Sequence, residues 1–231
     1  MTSMGAGTRK LCVAYDVEHY SQRGTRREYA TQQRLSDVLA FAFSEVNLTP
    51  AEYVLQEQGD GGLALLPTGG AVDEPRLIVG LLRALRHALT ELNEDLVEPA
   101  RIRLRVALHE GIVHRAAHGY VGPAVIEVCR LRDADPVRNA LAGSNAVLVA
   151  VVADGLYRDV LSHGYHGLPG SAFTPADVHV KSFSARAWIY LPGEVAESHR
   201  TDSAPATEPA TAGDTGGRSL VEEFLDSKDA W

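Results

Sequence analysis

Cysteine is scarce in this chain. Its two cysteines, Cys12 and Cys129, both lie inside apolar stretches, LCVAY and EVCRL. Thiols so placed read as buried core residues and give no support to a disulfide framework. Basic charge is also in short supply. Lysine and arginine total 22 against 30 aspartate and glutamate, a formal net charge of -8. That balance argues against broad, sequence-independent binding to nucleic acid or to an anionic membrane, since both want a basic face. It leaves room for a local cluster of arginine and lysine around an anionic small ligand. No run approaches the roughly 20 apolar residues of a membrane span, and residues 1–10 hold no apolar segment of the signal-peptide type. A soluble cytoplasmic protein is expected.

What is present is ordinary globular composition, with 45% hydrophobic and 23% charged residues and so enough apolar surface for a real core. The spacing predicts strands over 11–17, 53–56 and 62–66, the last two joined at Gly59-Asp60-Gly61 as a hairpin. Helical periodicity marks 28–46 and 75–92. In 101–108, Ile102, Leu104, Val106 and Leu108 alternate with Arg101, Arg103 and Arg105, a strand with one wet or partner-facing side. A short hairpin-like excursion over 111–121 precedes a helix over 123–134, a strand over 145–152 and a helix over 154–162. Strands over 178–181 and 187–191 close the domain. This order predicts an α+β, ferredoxin-like domain over 11–193 after a flexible 1–10, its mixed or antiparallel sheet covered by helices on one face. Residues 194–218, rich in Ser, Thr, Ala, Pro and Gly, read as a disordered linker. Residues 219–231 restore Leu220, Val221, Phe224 and Leu225 at helical spacing, a short amphipathic helix on a tether.

Two carboxylates stand out. Asp16 ends an apolar strand and Asp60 sits in a glycine-flanked turn. A charge beside a core is costly unless it is paired, hydrogen-bonded or bound to metal. Singly, Asp60 reads as a turn residue and Asp16 as a cap. Together, if the first strand lies beside the hairpin, they meet at one sheet edge and suit Mg²⁺ or Mn²⁺, which takes carboxylate oxygens and keeps positions open for phosphate. Other chemistry has less behind it. His109, His114 and His118 lack clustered acids for zinc, and Ser21 and Ser144 lack a nucleophile elbow. The run RGTRRE over 23–28 reads as a solvated helix start, with an anion-binding rim near Asp16 as its alternative.

Five stretches, VAYDVEHYS, QGDGGLALLP, RVALHEGIV, GPAVIEVCRL and VHVKSF, occur in that order. They resemble the class III nucleotide cyclase catalytic domain, and the resemblance covers residues 11–193. It implies that Asp16 and Asp60, with the backbone carbonyl of Val17, hold a pair of Mn²⁺ or Mg²⁺ ions. It implies further that Arg130 stabilises charge on the transferring phosphate and that Lys181 holds the terminal phosphates. Taken alone, Arg130 could equally pair with Asp133 or Glu127, and Lys181 could be a surface lysine. In the family the sites are composite, so a homodimer is implied in which one subunit gives the aspartates and the other Arg130. The departures narrow the substrate. The family's ribose-orienting asparagine is Ile126 here, its purine-reading lysine is Gln56, and the partner of that lysine is Gly119. With the segment over 111–122 also short, the chain resembles bacterial pyrimidine cyclases of anti-phage systems, whose cyclic UMP or cyclic CMP activates a separate effector. A nucleoside triphosphate substrate follows, UTP ahead of CTP, with Gln56 as base reader. The alternative is a catalytically degenerate cyclase-like module that binds a nucleotide or a partner protein.

Overall fold

The structure is a computed structural model and describes residues 5–193; the expected linker and C-terminal helix lie outside the described residues. In chain order the elements are β1 (Thr8–Val17), α1 (Thr25–Glu45), β2 (Val54–Glu57), β3 (Gly61–Leu66), α2 (Glu74–Glu94), β4 (Leu104–Ala116) and β5 (Gly119–Val121). There follow α3 (Pro123–Arg132), α4 (Asp135–Ala142), β6 (Leu148–Ala153), α5 (Asp154–Asp159), β7 (Phe173–Val180) and β8 (Phe183–Tyr190). The first strand starts at Thr8, so residues 8–10 belong to the sheet rather than to a flexible lead. Strand order is β2-β3-β1-β4-β6-β8-β7, with β5 paired to β4. Only β4 and β6 run parallel, so the sheet is mixed, within the expected α+β architecture. Among the described residues no helix is long and apolar enough to cross a membrane.

Periodicity explains why these segments fold as they do. On α1, Leu35, Val38, Leu39 and Ala42 fall on one buried face. On α2, Leu77, Ile78, Leu81, Leu82, Leu85 and Leu89 do the same. The Asp73 carboxylate accepts the Arg76 N–H at 3.1 Å and Pro75 occupies the first turn, a pairing that fixes where α2 begins. Both helices pack with Leu104, Val106 and Leu108 of β4 in one core. Burying one such side chain contributes about 1.5–3 kcal/mol.

Two expectations are corrected. Helices cover both faces of the sheet, not one. Opposite α1 and α2, the small residues Cys12, Ala14 and Ala107 form a second core with Val128 and Leu131 of α3 and Val137 and Leu141 of α4. Small side chains on that face let α3 lie close: a Cβ on Gly111 would stand 2.7 Å from Ala124 Cβ. The arginine side of 101–108 is likewise wet only at Arg101; Arg103 and Arg105 are turned inward. The strand is central, flanked by β1 and β6, and its arginines turn to internal partners. Arg103 pairs with Glu18 at 2.9 Å and donates to the Ala146 and Ser144 carbonyls at 3.0 and 2.8 Å, tying the end of α4 to the sheet.

One buried polar group joins α2 to the approach of β4. The Asn93 side chain, in a residue only 6% exposed, accepts the Ile102 N–H and donates to the Ile102 carbonyl, both at 2.8 Å. Asn93→Ala would strand both backbone groups in the core, each worth about 1–3 kcal/mol when left unsatisfied. The expected result is a fall of about 2–5 kcal/mol in unfolding free energy, read from the urea midpoint at unchanged slope.

Candidate active site

The end of β1 and the start of β3 bring the two singled-out aspartates together. Asp16 lies opposite Gly61 in the antiparallel register, and the Val17 N–H donates to the Asp60 carbonyl at 2.8 Å. Glycine is required at this crossing. A Cβ on Gly61 would stand 2.3 Å from the Tyr15 carbonyl oxygen and 2.8 Å from Asp16 Cβ. The Gly-Asp-Gly turn thus sets Asp60 beside Asp16 by letting two backbones nearly touch.

Asp16 has a cation of its own. Directly across the β1–β4 register stands Arg105, which donates from Nε to Oδ1 at 2.9 Å and from Nη2 to Oδ2 at 2.5 Å. Each side chain is 13% exposed. Burial pushes the Asp16 carboxyl above its usual range, and Arg105, then Arg132, oppose that rise. Arg105 was not among the residues singled out from sequence; only the alternation of arginines in RIRLRV hinted that it shares a face with Asp16. Arg105→Ala would leave Asp16 buried and unpaired, and the expected loss is about 3–5 kcal/mol of stability. Denaturant unfolding of that variant, against an Arg105→Lys control that restores part of the loss, measures it.

The Asp60 carboxylate, by contrast, has no hydrogen bond or ion pair among the described residues. The two carboxylates at this end of the β1–β3 pair are the donor type that a hard divalent cation takes. No group of three or more His, Cys, Asp or Glu side chains gathers among the described residues, so an all-protein cage is absent there. Arg105 engages both Asp16 oxygens, so a cation there would share the carboxylate with Arg105 through the remaining lone pairs or displace it.

Arg130 and Lys181 do not join this group. The two sequence alternatives for Arg130 are both taken: Glu127 pairs with His109 at 3.0 Å and Asp133 with Arg132 at 2.9 Å. Arg130 instead lies over the Phe183 ring, 5.6 Å from its centroid. Phe183 opens β8 across the turn from Lys181, which is exposed at a left-handed φ of 55°. It is Arg132, two residues along α3 from Arg130, that turns toward β1, reaching the Tyr15 carbonyl at 3.5 Å. Among the described residues Arg130 and Lys181 thus share no hydrogen bond or ion pair with Asp16 or Asp60.

Gln56 and Gly119 do meet. A Cβ on Gly119, whose φ is 121°, would fall 1.9 Å from Gln56 Nε2, so the amide covers the glycine where a side chain would stand. Ile126 presents its apolar side chain to the surface, 53% exposed.

No protein-family model matches the chain, and no curated protein is significantly similar to it in sequence. Solved structures are similar in fold. A crystal structure of an adenylate/guanylate cyclase/hydrolase from Silicibacter pomeroyi shares 18% identity at a TM-score of 0.54, over 81% of this chain and 99% of that one. The guanylate cyclase domain of RhGC from Catenaria anguillulae, in complex with GTP, shares 15% at 0.52, over 81% and 99%. The catalytic core of a rhodopsin-guanylyl cyclase with converted specificity, in complex with ATPαS, shares 16% at 0.53, over 83% and 100%. The chain has the fold of the class III adenylate/guanylate cyclase domain.

Proposed function

We propose that the chain is a nucleotide cyclase that converts a nucleoside triphosphate, UTP ahead of CTP, to a 3′,5′-cyclic nucleotide and pyrophosphate. The observation that carries this is a partnerless Asp60 carboxylate beside the Arg105-paired Asp16, together with two cations, Arg130 and Lys181, that have no carboxylate partner among the described residues. In the reaction the ribose 3′-oxygen forms a bond to the α-phosphorus, the bond to the bridging oxygen breaks, and the 3′-hydroxyl proton leaves to solvent. Negative charge grows on the departing pyrophosphate. Arg130 would oppose charge at the α-phosphate, and Lys181 would hold the terminal phosphates from an exposed turn that a ligand can reach. A divalent ion held by Asp16, Asp60 and the Val17 carbonyl would supply Lewis-acid polarisation when bound.

Cations that share no bond with the aspartates call for two copies. Ile112, Val121 and Ile126, respectively 43%, 50% and 53% exposed, flank Gly122 at the head of α3 and supply an apolar patch for a second chain. In the homodimer so proposed, one protomer gives Asp16 and Asp60 and its partner gives Arg130 and Lys181. The base preference rests on Gln56, whose amide, seated over Gly119, offers both a donor and an acceptor to a uracil edge. The resemblance to anti-phage pyrimidine cyclases extends the proposal to a second messenger read by a separate effector.

The test is incubation of the protein with Mn²⁺ and each of the four triphosphates, products being identified by mass. Cyclic UMP in excess over cyclic AMP and cyclic GMP is expected. In Gln56→Ala that preference should shrink about tenfold or more, because a mismatched edge no longer leaves a buried amide unpaired. Cyclic AMP alone from the wild type would overturn the base assignment. Binding of a triphosphate that depends on Asp60 but yields no cyclic product would favour the degenerate module, for which Ile126 in place of the family's ribose-orienting asparagine is the argument.

A further inference from the structure

A cleft of about 670 Å³ opens at the end of the sheet where β1 runs out and β4 begins, between the start of α1 and the end of α2. Asp16, Asp60, Gln56, Arg130 and Lys181 do not line it, and it lies beyond the cyclase reading. Its size falls within the roughly 300–1,000 Å³ of small-molecule sites. Its walls are held by internal bonds. Arg23, read from sequence as part of a solvated helix start, donates to the Arg101 carbonyl at 2.6 Å, and Asn93 is locked to Ile102. The remaining polar groups are uncommitted: Gln22, Arg27, Glu94 and Asn145 line the cleft and make no side-chain hydrogen bond or ion pair among the described residues.

The charges sort in the same way. Glu18 is neutralised by Arg103 at 2.9 Å and Glu98 by Arg101 at 2.8 Å. Arg27 is left without a carboxylate partner among the described residues, and Glu94 lines the same cleft. Arg23 Nε is buried without an acceptor. An uncommitted guanidinium wants an anion, a lone carboxylate accepts from neighbouring hydroxyls, and two free amides each present a donor and an acceptor.

We propose that this cleft binds a nucleoside monophosphate. Arg27 takes the phosphate, Glu94 accepts from the ribose hydroxyls, and Gln22 and Asn145 meet the base edge. The binding needs no turnover, so it stands or falls separately from the cyclase reading. The experiment is calorimetric titration of the full chain with 5′-UMP, and separately with inorganic phosphate, in EDTA so that no divalent ion recruits the nucleotide elsewhere. UMP should bind, and inorganic phosphate at least tenfold more weakly. Arg27→Gln and Asn145→Ala, both outside the core, should each weaken UMP at least tenfold. Gln56→Ala and Lys181→Ala should leave its affinity unchanged. Absence of UMP binding would overturn the proposal, as would unaltered affinity in both cleft variants, a loss in Lys181→Ala, or phosphate binding as tightly as UMP.

Discussion

Asp60→Ala is expected to abolish cyclic nucleotide formation, by about 10³-fold or more, while melting within a few degrees of the wild type. The two halves of that expectation come from the same fact. Asp60 holds its place through its backbone carbonyl, which accepts the Val17 N–H, and its carboxylate bonds to nothing else among the described residues. Removing the carboxylate therefore removes a function and no packing. Asp16→Ala is the poorer probe, because it would also leave Arg105 as a buried unpaired cation and confuse lost activity with lost stability. Full Mn²⁺-dependent turnover in Asp60→Ala would end the two-aspartate site. Turnover measured together with a thermal melt decides it.

The second large effect is a gain. Asp60→Ala chains and Arg130→Ala chains, each inactive alone, should recover activity when mixed and allowed to exchange. If each site takes its acids from one protomer and its cations from the other, half of the dimers are mixed and each holds one intact site of two. Activity should return to roughly a quarter of the wild-type level, the statistical share in a symmetric dimer. The geometry asks for this arrangement because Arg130 lies over Phe183 and shares no bond with Asp16 or Asp60. No recovery, with exchange demonstrated by labelled chains, would place the whole site within one protomer.

Local chemistry was readable from the sequence and cross-chain geometry was not. The Asp16–Asp60 meeting could be foreseen because a strand end and a glycine turn are both local signals, and antiparallel neighbours follow from the hairpin. The Asp16–Arg105 pair could not, since it depends on β4 lying in register beside β1, with the two residues 89 positions apart in the chain. The same ignorance made the β4 arginines look wet. Helix α4 escaped notice because only Val137 and Leu141 among its eight residues are large, apolar and buried, too few to establish a period. With α4 unseen, the second helical layer went unseen too. Arg23 illustrates the limit from another side: its run of charges reads as solvent-facing, and only the folded chain supplies the carbonyls of Ala100 and Arg101 that it binds.

The amide resting over Gly119 has a consequence for how such a site changes over generations. A side chain at 119 would evict the Gln56 amide from its seat, and the φ of 121° would strain any residue other than glycine there. The two positions are therefore not independent letters of a recognition code. Any substitution at 119 is also a displacement at 56, so a lineage altering its base preference by this route must reshape the turn and shorten residue 56 before a second reading group gains a foothold. Single-step drift at 119 leads to a damaged site rather than a new specificity, and that ordering of steps holds the present pair in place.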